Sequence, residues 1–287
     1  MNRARTLEWE HQWALPAAIC AFAAAVLFVA GTVLGQEGPI SPTTTTELLR
    51  DFHDVSGSLL GAAVLNAFSL ALIAAPLFYL FRAALARSPK MRRGLVGVVV
   101  AGPLFLGAAE LFQWIALNSA SNDFATPGGG AGVPIGTYAD DLIRDQTTFS
   151  ISQGLSFAGV LGFVVGTIYT SLWAMRVGLL TRFMGTIGMA LAASLLLLAQ
   201  AFSLLALMLW FVFLGVVILG KTPRGKRPPA WDAGEAIPWP KPGEQPQAPA
   251  ADADETVDGT ATELDSDLNP NSAPGERAKK RKRKRRE

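Results

Sequence analysis

Between Phe183 and Gly220 lie 38 consecutive residues without one charged side chain. As a single helix they would run about 57 Å, nearly twice the ~30 Å hydrocarbon core of a bilayer. The polar residues between Gln200 and Ser203 interrupt the run, which divides it into two spans, 183–200 and 202–219. Four further apolar runs precede it, at 14–34, 59–80, 95–117 and 155–174. Each has the length that a membrane-crossing helix requires. The expected fold is all-α: a polytopic transmembrane bundle of six helices over residues 14–220. A short polar leader (1–13) precedes it, and a tail (221–287) follows it. The first run exceeds the apolar core of an ordinary signal peptide, so it is read as a retained span.

The distribution of charge supports this count. Up to Gly220 there are 11 basic and 11 acidic side chains, so the net charge of +2 belongs to the tail. Taken alternately, the connections hold two basic residues, one, five (82–93), one, two (Arg176 and Arg182) and none, and the basic tail follows. Six spans put every basic-rich segment on one side, which the positive-inside rule makes the cytoplasm. The expected location is the cell membrane, multi-pass, with both termini cytoplasmic.

The connections carry weaker signals. Thr44 and Glu47 have capping-box spacing, and Leu48, Leu49, Phe52 and Val55 recur at helical intervals, as in a short amphipathic helix lying on the membrane surface. Residues 119–153 form the longest connection. It is Pro/Gly-rich at first, with a helix start expected at Thr137 and with Asp140 and Asp141 in its first turn. The tail has few large apolar residues and is expected to be disordered, with an acidic middle and a polybasic end.

Glu110 is the only ionisable residue inside the apolar runs, apart from Cys20 and tyrosine, and a charge at membrane depth marks a candidate site. Gln113 lies one turn away, and Asn66 falls at a similar depth on the antiparallel second span, so Glu110, Gln113 and Asn66 form a candidate polar cluster. Pro103 is placed to kink the same helix. The bland alternative is one neutral glutamate bonded to a neighbouring helix. On the fourth span, Ser156, Gly159, Gly162 and Gly166 form a small-residue stripe suited to close helix packing, within the chain rather than between chains. The neighbouring Gly154-Leu155-Ser156-Phe157-Ala158 approaches the serine motif of rhomboid proteases, but no histidine follows His53 to serve as base.

Asp51, His53 and Asp54, like Glu8, Glu10 and His11 on the leader, match no metal-site spacing and read as exposed charge. The single cysteine excludes an intrachain disulfide. No cofactor and no enzymatic activity are expected. The run Lys279, Lys280, Arg281, Lys282, Arg283, Lys284, Arg285 and Arg286 is drawn to anionic lipid headgroups, at about 1 kcal/mol per residue near the surface. Nucleic acid or an acidic protein would also attract it but is not favoured.

Two stretches, LFYLFRAALARSPKMRRGLVGVVVAG and GTIYTSLWAMRVGLLTRFMGTIGMALAA, resemble a bacterial family of six-helix integral membrane proteins of unknown function. The likeness runs from Leu48 to Gly220; the Gly-rich outer connection and the charged tail depart from it. The resemblance implies six helices and no substrate. Three functions follow in order of preference. The first is a membrane scaffold or interaction protein, the second a small ion-coupled transporter using Glu110, and the third an intramembrane enzyme.

Overall fold

The structure, a computed structural model, describes residues 3–36, 44–126, 132–197, 200–221 and 227–239. Among them the chain is all-helical: α1 (Arg3–Gly35), α2 (Thr45–Arg87), α3 (Val96–Ala125), α4 (Ile135–Arg144), α5 (Thr147–Arg176), α6 (Arg182–Leu197), α7 (Gln200–Ile218) and the five-residue α8 (Pro229–Ala233). A short 3-10 turn at Arg93–Leu95 leads into α3. Four helices are long and apolar enough to cross a membrane: α1, α2, α3 with its leading turn, and α5. α6 and α7 are shorter apolar helices, and the interruption between them falls at 198–199.

α3 lies between α2 and α5, and glycines on two of its faces allow both approaches. A Cβ at Gly107 would sit 2.8 Å from the Ala67 carbonyl oxygen of α2. Toward α5, Gly102 abuts the backbone of Gly162 and Phe163, Gly159 would bring a Cβ within 2.8 Å of the Leu106 nitrogen, and Gly166 faces Val99 at 3.0 Å. The small-residue stripe of α5 thus meets α3 of the same chain. Ser156 is half-buried at the end of that stripe. α3 continues as helix through Pro103. Gly102→Ala is expected to destabilise the bundle by about 1–3 kcal/mol, the cost of overpacking, because the Cβ would meet backbone rather than a movable side chain. Thermal unfolding in detergent checks this, with Gly97→Ala, at an open position, as the control.

Several boundaries differ from expectation. α2 begins at Thr45, with Thr44 Oγ1 accepting from the Glu47 amide at 3.2 Å, and runs straight into the second span. Its only irregular residue is Val55, at φ −116° and ψ 15°. At 43 residues it is about 64 Å long, so it outreaches any bilayer. The stripe expected to lie on the membrane is covered by protein instead. Leu49 is buried against Ala120 of α3 and Ala139 of α4, with Phe124, Leu142 and Ile143 around them. α4 starts at Ile135 after Pro134, two residues before the expected Thr137, so Asp140 and Asp141 lie beyond its first turn. Asp140 accepts from Thr45 Oγ1 at 2.5 Å, tying α4 to the start of α2.

The tail boundary also moves. Residues 227–239 pack on the bundle, and Trp231 is among its largest fully buried side chains. The remaining tail, 240–287, with the expected disorder and the run from Lys279 to Arg286, lies outside the described residues.

Candidate functional site

The first turns of α1, the last turns of α2, the α5–α6 turn and residues 227–239 meet at one end of the bundle. This end also carries most of the basic residues of the connections. Its centre is Arg87, on the last turn of α2, whose side chain is fully buried. Both guanidinium Nη atoms pair with the two carboxylate oxygens of Glu10, Nη2 to Oε2 at 2.9 Å. Nη1 also donates to the Ala83 carbonyl at 3.0 Å, and Nε and Nη2 donate to the Ala230 carbonyl at 3.1 and 2.9 Å. All five N–H donors of the fork are thereby used, the condition under which an arginine tolerates burial. Glu10 is therefore not the exposed leader charge expected from its polar surroundings; it is a buried helix residue holding an ion pair.

Aromatic rings extend the contact. Trp9, Tyr79 and Trp231 stack in series, with centroids 5.4 and 5.8 Å apart. Tyr79 OH donates to the Glu10 carbonyl at 3.1 Å, and Trp231 Nε1 to the Leu179 carbonyl at 2.9 Å. The Arg227 guanidinium lies 4.5 Å from the Trp231 ring centre and donates to the Ile218 carbonyl at 2.9 Å. Trp231 thus presents its ring to Tyr79 and to cationic groups while its N–H finds a carbonyl.

The backbone of the α5–α6 turn is shaped to receive this segment. α5 ends in a Schellman-type closure, with the Leu179 amide bonded to the Ala174 carbonyl at 2.8 Å and Gly178 left-handed at φ 81°. A Cβ at Gly178 would strike the Ile237 carbonyl oxygen. Beside it, the Ile237 amide donates to the Val177 carbonyl at 3.2 Å, and Trp239 Nε1 to the Leu180 carbonyl at 2.8 Å. Arg182 then donates to the Trp239 carbonyl at 3.2 Å. Residues 227–239 are fastened to three separate elements by side chains and backbone together.

Comparison with protein-family models, with curated proteins and with solved structures finds no match.

The cluster anticipated around Glu110 is not assembled. Asn66 is turned toward α1, where its Oδ1 occupies the space that a Cβ on Gly31 would need and has no hydrogen-bond partner among the described residues. Gln113 is exposed. Glu110 is half-buried and has no hydrogen bond or ion pair among the described residues. Three other buried hydroxyls without partners among the described residues, on Thr167, Thr170 and Ser171, line one face of α5. The pairing of Gly159 with Leu106 and of Gly166 with Val99 sets the antiparallel register, in which Glu110 lies level with about residue 155. The hydroxyl face is therefore about 20 Å away along the bundle axis, and the two are separate features.

Tryptophans in a Pro-rich, weakly apolar stretch (PPAWDAGEAIPWP) are the signal that would have found the fastened segment, since disordered tails are poor in aromatics. Glu10 and Arg87 offer no local signal, because the pair is 77 residues apart in sequence.

Proposed function

We propose that this chain is a six-span protein of the cell membrane, with both ends cytoplasmic, that serves as a scaffold or interaction protein. The bundle anchors and positions the C-terminal segment, and the polybasic run from Lys279 to Arg286 engages anionic membrane surface or a partner. The observation that carries this reading is the fastening of residues 227–239 to α2, α7 and the α5–α6 turn. It fixes the place from which the rest of the tail leaves. In this reading α6 and α7 cross as a short hairpin, which returns the chain to the basic end where α1 begins. A bundle interior whose polar features are scattered rather than joined also favours anchoring over transport.

Two experiments test it. Reporters fused at Gly129 and at the C-terminus are expected in opposite compartments; a shared compartment removes the six-span topology. Affinity capture from mild detergent, comparing the full chain with one ending at Trp239, is expected to lose anionic-lipid or partner binding in the shorter chain. Equal capture by both chains removes the tail from the function.

The unpartnered carboxylate of Glu110 favours a second reading, a small ion-coupled transporter. In that case Glu110→Gln abolishes a pH-dependent flux in reconstituted vesicles while leaving thermal stability within about 1 kcal/mol, the ordinary effect of a single substitution. Under the scaffold reading the variant matches the parent across pH.

A further inference from the structure

A groove of about 250 Å³ runs between α1 and α2 at the basic end. α1 contributes Trp9, Trp13 and Pro16, and α2 contributes Ala75, Phe78 and Arg82. Its walls are apolar except at the mouth. Trp13 is 48% exposed there, so the groove opens away from the bundle. The volume suits one hydrocarbon chain and excludes a helix of 10–12 Å diameter.

The mouth carries an unneutralised positive charge. The Arg82 guanidinium lies 4.4 Å from the Trp9 ring centre and pairs with no carboxylate among the described residues. Arg5 is one turn before Trp9 on α1 and exposed, which adds a second cation on the same side. Pro16 has no amide hydrogen, so the Gln12 carbonyl one turn nearer the mouth lacks its helical donor. Two indoles at i and i+4, a free guanidinium and an apolar slot beneath them match the layers of one lipid molecule: headgroup, interface and acyl chain.

We propose that this groove is a binding site for a single anionic phospholipid, with its phosphate on Arg82 and one acyl chain between α1 and α2. Charge complementarity selects an acidic headgroup over a zwitterionic one, whose own cation Arg82 repels. The site is distinct from the polybasic tail and rests on the reading of α1 and α2 as membrane crossings, which reporters fused at the N-terminus, at Gly38 and at Lys90 decide independently, expected to alternate between compartments.

The test is native mass spectrometry of the full-length protein, released from neutral detergent after incubation with phosphatidylglycerol or phosphatidylcholine. The expected result is one phosphatidylglycerol retained above the level set by the tail, and no equivalent phosphatidylcholine. Arg82→Gln lowers that retention about fivefold, the worth of one basic residue at an anionic surface. Arg82→Lys keeps most of it, and Ala75→Trp, which fills the slot with the charge intact, removes it. Should Arg82→Gln fail to fold, Arg82→Lys against Ala75→Trp still separates charge from space. Equal retention by the parent, Arg82→Gln and Ala75→Trp would overturn the site, as would equal retention of phosphatidylcholine. Full competition by glycerol phosphate alone would overturn the chain-binding slot.

Discussion

Replacing Arg87 with alanine is expected to destabilise the bundle by about 3–5 kcal/mol. The cost arises from what is left behind more than from the contact removed. Glu10 keeps a carboxylate inside protein with no counter-charge, and the Ala83 and Ala230 carbonyls lose three donated bonds between them. Glu10→Ala strands the opposite charge, so it too is costly. The double variant should be no worse than Arg87→Ala alone, because removing both partners removes the uncompensated charge. Thermal unfolding of the purified protein in one detergent measures all three. Additive losses would show that the two residues act independently and that the buried pair is not the source of the effect.

Trp231→Ala is the second large effect, with an expected loss of about 3–5 kcal/mol, as for other buried aromatics truncated to alanine. It removes the outer ring of the three-ring stack, the surface under Arg227 and the bond to the Leu179 carbonyl in one change. Much of this loss should be local, because residues 227–239 sit at one end of the bundle, apart from the glycine contacts that join α2, α3 and α5. The readout is therefore cleavage after Glu235 by a glutamate-specific protease. In the parent protein the backbone on either side is held, Ala230 by Arg87 and Ile237 by the Val177 carbonyl, so cleavage requires the segment to open. A local loss of about 3 kcal/mol corresponds to more than a hundredfold rise in the open population and in cleavage rate. Trp239→Ala, further along the segment, should give a smaller rise. An unchanged rate in Trp231→Ala would mean that the segment is held elsewhere.

The long helices were legible because hydrophobic length is a local property. The runs at 14–34, 59–80 and 155–174 lie within α1, α2 and α5, that at 95–117 lies within α3 and the turn leading into it, and the polar break near Gln200 falls beside the interruption between α6 and α7. Thr44 announced the start of α2 through its side chain. What sequence could not supply was rotation about the helix axis. Depth arithmetic places Asn66 and Glu110 at similar levels, but Ala67 is the residue that faces α3, so Asn66 points toward Gly31 of α1 instead. The glycines at 159, 162 and 166 share a face by spacing alone; that α3 is their neighbour required the assembled bundle. Buried charge misleads in the opposite way. Glu10 sits among Glu8, His11 and Gln12, surroundings that read as solvent, and its partner lies on another helix. Residues 227–239 were hidden for a compositional reason: prolines and acids outweigh two tryptophans in any average, although the tryptophans carry the contact.

The carbonyl that completes the donor set of Arg87 belongs to Ala230, 143 residues later in the chain. At about 5–20 residues per second, the ribosome delivers it roughly 7–30 s after Arg87 itself. The hairpin of the first two helices therefore enters the lipid with Glu10 in reach but with two guanidinium hydrogens unmet and the face of Tyr79 bare. A product that stops short of Trp231 keeps that defect permanently, at the side where cytosolic chaperones and proteases inspect new membrane proteins in the proposed orientation. Arrival of the C-terminal segment is thus registered by the oldest part of the fold, and its closing marks a bundle whose long helices have all been made.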